Sequence, residues 1–109
     1  MTNEPRKTLA DGTQIYPEHT KIDPKTGMQK DYVVLAGEER AKGFVRPYRN
    51  EYTHLTCGEI TSMARAILET YARDPYFYCA TYCAHCKAHF AVGPKGQFVW
   101  VGTDEKVGT

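Results

Sequence analysis

Apolar positions recur at helical spacing between Glu59 and Arg73. They fall at i, i+3, i+4, i+7, i+8, i+11 and i+12, a spacing that lines one face of an α-helix. These positions are Ile60, Met63, Ala64, Ile67, Leu68, Tyr71 and Ala72. Asp74-Pro75 follows, and a residue before proline is disfavoured in the α region. The pattern therefore predicts an amphipathic helix over about 59–73, with its apolar stripe packed on a core.

Short β-branched and aromatic runs predict strands on both sides of this helix. Tyr32–Leu35 is one such run, and Phe44–Arg46 is a second that Pro47 would end. Near the C-terminus, two apolar runs flank a turn of sequence Gly-Pro-Lys-Gly, which predicts a β-hairpin over about 90–101 with Trp100 buried. The chain is therefore expected to adopt an α+β fold of short antiparallel strands, one amphipathic helix and a C-terminal hairpin.

The first 30 residues differ from the rest. They are polar, their apolar residues are scattered, and they contain the turn-forming pairs Asp11-Gly12 and Asp23-Pro24. This composition predicts that residues 1–30 form a flexible or loosely docked arm and residues 31–109 the folded domain. The alternative is an arm that becomes ordered on a partner.

The net charge and the expected compartment limit the classes of function that the protein can have. The chain carries 14 Lys and Arg against 13 Asp and Glu, without the strong positive bias of proteins that bind nucleic acid mainly through phosphates. The start has no signal-peptide pattern, and no run approaches the roughly 18 apolar residues of a membrane helix. We therefore expect a cytoplasmic protein with no membrane partner. In that compartment, four cysteines favour a metal site over disulfides.

Two short motifs have the spacing of metal knuckles. One is His54-x2-Cys57 followed by Gly58, and the other is Cys83-x2-Cys86. A two-residue gap lets both side chains of a tight turn face one ion, and zinc takes four sulfur or imidazole ligands. The preferred ligand set is His54, Cys57, Cys83 and Cys86, holding one structural Zn²⁺ per chain. Four protein ligands leave no position for a reactive water.

Other arrangements of these residue types stay open. A rival set is local and consists of Cys79, Cys83, Cys86 and His89. Alternatively, Cys79, His89 or His85 replaces one ligand of the preferred set. Without a metal, the cysteines would be small core residues.

A segment of interleaved aromatic and basic residues precedes the first knuckle. Aromatic rings stack on bases and arginines neutralise phosphates, but the same residues also suit a partly exposed strand. The candidate nucleic-acid or partner contacts are Arg46, Tyr48, Arg49 and Tyr52, joined by Lys87.

The known catalytic motifs do not fit. The base-deaminase signature fails at His54-Leu55-Thr56 and at Tyr82, which stands where that signature has proline. A His-Glu-x-x-His helix and a phosphate-binding glycine loop are absent from the sequence. A small metal-dependent nuclease with His85 or His89 activating water lacks a visible carboxylate cluster. The sequence therefore favours a non-enzymatic protein over an enzyme.

The run from Gly43 to Thr109 resembles a family of small proteins found in bacteriophage and prophage genomes. The residues that carry the resemblance are Phe44-Val45-Arg46-Pro47, Tyr52-Thr53-His54, Cys57-Gly58, Glu69 to Pro75, Cys83-x2-Cys86, His89-Phe90 and Phe98-Val99-Trp100. The resemblance implies a zinc-ribbon-like domain over 31–109 and supports the preferred ligand set, with Cys79 outside it. A helix between the knuckles departs from the simplest ribbon, and the family brings no assigned reaction.

These observations lead to a functional expectation. The chain is expected to be a phage-encoded, non-enzymatic zinc-binding domain that binds or inhibits a host protein, for example a defence-system component, in the host cytoplasm. The first alternative is a nucleic-acid-binding zinc domain, and the second is a small metal-dependent nuclease. The sequence does not indicate an oligomeric state.

Overall fold

The structure, a computed structural model, describes residues 6–109 and has an α+β fold, as the sequence predicts. Seven short strands, two α-helices and one 3₁₀ helix follow one another along this part of the chain. In order they are β1 (Lys7–Leu9), the 3₁₀ helix (Pro17–Thr20), β2 (Val33–Leu35), α1 (Gly37–Arg40), β3 (Glu51–His54), β4 (Ile60–Ser62), α2 (Arg65–Arg73), β5 (Ala80–Cys83), β6 (Ala88–Ala91) and β7 (Phe98–Trp100).

The strands form three small antiparallel sheets. β1 pairs with β2, β5 pairs with β6, and β3 lies between β4 and β7 in the three-stranded sheet. Sheets this small need a packed face to be stable. Helix α2 contacts β2 and α1, and β4 contacts β5, so the three sheets share one packed unit.

The long helix begins at Arg65, not at Glu59 as the apolar spacing predicts. Gly58 has a φ of +77° and reverses the chain, so residues 60–62 run back along β3 as β4. Ile60 then lies on the outer side of the sheet, 53% exposed, and is not part of a helical stripe. The β-branched pair Ile60-Thr61 suits this extended conformation.

Helix α2 is covered on more than its apolar stripe. Thr70 is fully buried, and its hydroxyl accepts a hydrogen bond from the Leu35 backbone N–H at 3.1 Å while donating to the Ala66 carbonyl. Glu69 is also buried and pairs with Arg40 and Arg65. Both residues look like solvent-facing positions in the sequence, but the β1–β2 sheet and α1 cover that side of the helix.

Aromatic rings fill the centre of the molecule. Trp100 is 3% exposed, which confirms its predicted burial, and its ring meets those of Tyr52 and Tyr71 edge to face. Phe98, Cys83 and Val107 complete this cluster with no exposed surface. Edge-to-face packing places the positive edge of one ring against the negative face of the next.

The predicted C-terminal hairpin is present as two strands and a turn at the expected places. The Gly96 N–H donates to the Gly93 carbonyl, and the Gln97 N–H donates to the Ala91 carbonyl, which closes the turn. Beyond the turn the strands diverge. β6 continues its ladder with β5, and β7 continues with β3, so the hairpin connects two sheets.

The segment Phe44–Arg46 is not a strand. The backbone N–H groups of Val45 and Arg46 both donate to the Ala72 carbonyl near the end of α2. The Arg46 guanidinium donates to the Thr109 backbone oxygen at 3.1 Å. This segment is therefore a loop fixed to the helix and to the C-terminus.

Much of the predicted N-terminal arm contacts the domain; its residues 1–5 lie outside the described part of the chain. Leu9 has no exposed surface, and its strand pairs with β2. Gly27 packs so closely on the second knuckle that a Cβ there would meet the Lys87 carbonyl oxygen. The division into an arm and a domain stays a prediction. No helix in residues 6–109 is long and apolar enough to cross a membrane.

Replacing Leu9 measures how firmly the N-terminal segment is docked. We expect Leu9→Ala to lower the free energy of unfolding by about 2 to 5 kcal/mol, because it leaves a cavity in a fully buried site. Ile22→Ala is the control, since Ile22 is 49% exposed, and it should stay within about 0.5 kcal/mol of the parent protein. Urea unfolding of both variants makes the comparison. Equal, small losses would mean that the segment contributes little to stability.

Candidate metal centre

The two motifs with knuckle spacing adopt the same backbone turn. The Gly58 N–H donates to the His54 carbonyl at 2.7 Å, and the Lys87 N–H donates to the Cys83 carbonyl at 2.8 Å. The residue after each second ligand has a positive φ, +77° at Gly58 and +55° at Lys87. Glycine adopts this conformation freely, whereas a lysine pays about 1 kcal/mol. Among residues 6–109, Lys87 is the one non-glycine residue with a positive φ.

Strand ends place the four side chains. His54 is the last residue of β3 and Cys83 the last of β5, while Cys57 and Cys86 lie in the turns that follow. The Thr61 hydroxyl of β4 accepts a hydrogen bond from the Ala84 N–H at 3.1 Å. This bond joins the hairpin of the first knuckle to the turn of the second, so the two turns face each other.

The ligand atoms of His54, Cys57, Cys83 and Cys86 all lie within 4.8 Å of one another. The Cys57 and Cys83 sulfurs are 3.7 Å apart, and the Cys86 sulfur is 3.6 Å from His54 Nδ1. A tetrahedron with Zn–S bonds of about 2.3 Å and a Zn–N bond of about 2.05 Å has S···S edges of about 3.8 Å and S···N edges of about 3.6 Å. Both measured edges fit. A disulfide would need about 2.05 Å, so the four cysteines are free.

The imidazole of His54 is held on three sides. Its Nε2 lies 2.8 Å from Gln97 Oε1, and its ring is stacked against Phe90 and Phe98 at centroid distances of 4.4 and 4.7 Å. The amide oxygen can only accept, so it fixes the proton on Nε2 and leaves the Nδ1 lone pair toward the sulfurs. The Thr56 hydroxyl donates to the same amide oxygen. This outer partner orients the ring as in known metal-binding histidines.

The shifted pKa values of the thiols favour a bound cation at this site. Burial acts to raise the pKa of Cys83, but the Cys86 backbone N–H and the neighbouring thiols outweigh it and lower this pKa below its ordinary value. Desolvation and the hydrogen bonds to Cys83 and Cys57 raise the pKa of Cys86 to about 11. The Cys83 thiol therefore loses its proton more easily than an ordinary thiol, and its presence makes ionisation of Cys86 harder. A bound cation removes that repulsion and permits all three thiolates.

The rival ligands lie elsewhere. Cys79 is exposed, and His89 Nε2 lies 2.9 Å from the Tyr32 hydroxyl. His85 is exposed within its turn. In the described part of the chain, the four residues of the preferred set form the one group of three or more His, Cys, Asp or Glu side chains close enough to share an ion.

The predicted contact surface is only partly on the outside. Tyr52 is 2% exposed and packs in the aromatic core, so it cannot stack on a base, and that expectation is wrong. Arg49 lies over the Trp100 ring at 4.6 Å and pairs with Glu105. Arg46 is tied to the C-terminal residue, whereas Tyr48 and Lys87 are exposed.

Gln97 is the site residue that the sequence does not reveal. It lies 43 positions after His54, outside both motifs, and belongs to the turn of the C-terminal hairpin. Only the pairing of β3 with β7, in which His54 stands opposite Phe98, brings its amide to the imidazole.

The chain was compared with protein-family models, with curated proteins and with solved structures, and none of the three comparisons gave a match. The resemblance to the phage family therefore stays a prediction.

Replacing Gln97 tests the orientation of His54. We expect Gln97→Ala to weaken metal binding about 10- to 100-fold, because the imidazole loses the acceptor that fixes its proton. Gln97→Glu keeps an acceptor at the same position and should retain tight binding. Competition with a coloured chelator measures both affinities. Unchanged affinity in the alanine variant would show that ring stacking alone orients His54.

Proposed function

We propose that His54, Cys57, Cys83 and Cys86 bind one structural Zn²⁺ and that the domain it stabilises is a non-enzymatic binding module. The metal assignment rests on two distances that match the edges of a zinc tetrahedron. The Cys57 and Cys83 sulfurs are 3.7 Å apart, and the Cys86 sulfur is 3.6 Å from His54 Nδ1. One histidine and three cysteines form a common structural zinc set.

The position of the site between two hairpins indicates a structural role for the ion. Two ligands come from the β3–β4 hairpin and two from the β5–β6 hairpin, so an ion there would join two separate sheets. A small domain with several two- and three-stranded sheets gains from such a staple. When bound, the ion supplies folding free energy and a fixed distance between the hairpins.

The same ligand count argues against catalysis at this site. Four protein ligands complete a tetrahedron and leave no place for an activated water. His89, a candidate base in the nuclease alternative, is engaged with Tyr32, and burial lowers its pKa. A metal-dependent nuclease is therefore the least favoured alternative.

An apolar surface on the anchored loop supports a protein partner. We call Phe44, Val45 and Tyr48 the loop patch; they are 44%, 57% and 54% exposed. The Phe44 and Tyr48 rings contact each other at 5.9 Å. Three hydrogen bonds fix the backbone and Arg46 beneath them, so the patch is presented without a large ordering cost on binding. Aromatic residues on a fixed loop are typical binding anchors.

The nucleic-acid alternative has less support. The chain is nearly neutral, and the arginines beside the loop patch have protein partners, Arg49 with Glu105 at 3.0 Å and Arg46 with Thr109 at 3.1 Å. We therefore favour a protein partner. If the resemblance to phage proteins holds, that partner is a host protein in the bacterial cytoplasm, and binding would inhibit it.

The metal assignment is tested by elemental analysis. Protein purified without added metal should contain one zinc ion per chain, and Cys83→Ser should lose it and unfold, since binding and folding are coupled. Cys79→Ser is the matched control and should keep both zinc and stability. Wild-type protein that folds equally well with no metal would contradict the proposal, and iron in place of zinc would correct the identity of the metal.

The loop patch is tested by affinity capture from bacterial lysate. The double variant Phe44→Ser, Tyr48→Ser should lose the captured protein, because it removes both aromatic anchors. Ile22→Ser changes a similarly exposed apolar residue elsewhere and should keep it.

Filter binding at low salt is the companion measurement, because phosphate contacts are strongest there. Retention of DNA or RNA, reduced by charge reversal at Arg46, would favour the nucleic-acid alternative over the protein partner. Capture that is equal in all variants would remove the loop patch from the proposal.

A further inference from the structure

A small hairpin of the N-terminal segment contacts the second knuckle. We call residues 21–30 the N-terminal hairpin, in which Ile22 pairs with Gln29 in an antiparallel bridge. At its tip, the Asp23 carbonyl accepts a hydrogen bond from the Gly27 N–H at 2.8 Å. The hairpin therefore has a shape of its own, which its internal hydrogen bonds define.

The tip of this hairpin contacts the residues that flank the two cysteines of the knuckle. The hydroxyl of Tyr82, the residue before the first cysteine, donates to the Thr26 carbonyl. Gly27 packs on Lys87, the residue after the second cysteine, so closely that a Cβ at position 27 would meet the Lys87 carbonyl oxygen. The hairpin thus contacts the chain immediately before and immediately after the knuckle.

Tyr32 supplies a third contact, two residues after the hairpin. Its hydroxyl accepts a hydrogen bond from the Gln29 N–H at 3.1 Å and lies 2.9 Å from Nε2 of His89, on β6. A hydroxyl has one proton and two lone pairs, so it can accept from the hairpin and donate to the imidazole at the same time. This hydroxyl joins the hairpin to the strand that follows the knuckle.

The turn of the second knuckle needs such support more than the turn of the first. Gly58 adopts a positive φ freely, whereas Lys87 has a φ of +55°, which is unfavourable for a residue with a side chain. The Lys87 N–H also closes the turn by donating to the Cys83 carbonyl at 2.8 Å. An unfavourable backbone conformation persists where the surrounding structure holds it, and the hairpin packs on this residue.

The hairpin is attached by these contacts and not by a buried side chain. No residue between positions 10 and 33 is buried, whereas Leu68 to Ala72 of helix α2 are all buried. A segment with few buried apolar groups opens locally at a low cost in free energy. The hairpin can therefore leave the knuckle while the core stays folded.

We propose that docking of the N-terminal hairpin controls the exchange of the metal ion. When docked, the hairpin holds Lys87 in the conformation that closes the second knuckle, which slows the loss of the ion. When undocked, it lets this turn open and the ion leave. The inference rests on the proposed zinc site and adds a regulatory step to it. Gly27, Tyr32 and Tyr82 are positioning residues, because they act through the turn and do not touch the ion.

Two glycines of the N-terminal segment allow a matched test. Both have a positive φ, +89° at Gly12 and +78° at Gly27, so alanine strains the backbone at either position. A Cβ has open space at Gly12 but meets Lys87 at Gly27. On the zinc-loaded full-length protein, we expect Gly27→Ala to transfer zinc to an excess of a coloured chelator about 10-fold faster or more, since undocking breaks two hydrogen bonds. Gly12→Ala should keep the parent rate.

A milder variant gives the same decision if Gly27→Ala does not fold. Tyr82→Phe removes the hydroxyl that bonds the Thr26 carbonyl and keeps the ring. It should speed zinc transfer about 3- to 10-fold, the range of one hydrogen bond. Tyr76→Phe is its control, since Tyr76 is 70% exposed, and it should leave the rate unchanged.

Hydrogen exchange of the Lys87 amide separates this inference from the zinc assignment. That N–H closes the knuckle turn, so it should exchange faster in Gly27→Ala than in Gly12→Ala, both with zinc and after its removal. Parent protein that never binds zinc would overturn the metal assignment and the control of ion exchange together. The Lys87 amide would then still show whether the hairpin holds the turn.

Two further outcomes would overturn the proposal and leave the zinc site in place. Zinc transfer at the parent rate in both Gly27→Ala and Tyr82→Phe would mean that docking does not retain the ion. Equal acceleration in Gly12→Ala and Gly27→Ala would assign the effect to backbone strain and not to the contact with Lys87.

Discussion

The structure depends on the contact between two turns that carry sulfur and imidazole ligands. Each hairpin alone is a small ladder of three or four paired positions, which is marginal in water. The turns meet because Thr61 accepts from Ala84 and because all four ligand atoms point into one space. Three ionisable sulfurs in one space repel when charged. The ion that we propose at this site would remove that repulsion and hold the two turns together.

His54 connects this contact to the core. The same imidazole that faces the sulfurs is 1% exposed and stacked between Phe90 and Phe98, one from each strand of the C-terminal hairpin. Phe98 in turn meets Tyr52 edge to face. The candidate metal site and the aromatic core are thus one packed unit. A shift of the His54 ring would disturb its stacking on Phe90 and Phe98, and a shift of those rings would move the imidazole.

Local signals in the sequence are sufficient to find the His and Cys group that could share an ion, but they do not reveal its surroundings. The two-residue gaps and Gly58 identify the knuckles because a tight turn is determined by a few adjacent residues. The apolar spacing places the helix start too early, because Ile60 and Met63 have helical spacing although Ile60 belongs to a strand. Gly58 reverses the chain, and Ile60-Thr61 then pairs with β3. Spacing alone cannot report a chain reversal two residues upstream.

Long-range pairing accounts for the rest of what the sequence did not show. Tyr52 ends a segment of aromatic and basic residues and looks exposed, but it lies on the central strand β3, where its ring packs against Phe98 and Trp100 in the core. Gln97 reaches His54 only through the β3–β7 register. The class of fold follows from composition and short runs, whereas the partner of each strand depends on how three sheets pack around α2.

The N-terminal segment packs against the second knuckle. Gly27 packs on Lys87, the residue after Cys86, and the hydroxyl of Tyr82, on the strand that ends at Cys83, donates to the Thr26 carbonyl. Gly27 belongs to this polar, turn-rich segment, and because it has no side chain it allows the segment to approach the backbone of the candidate metal site.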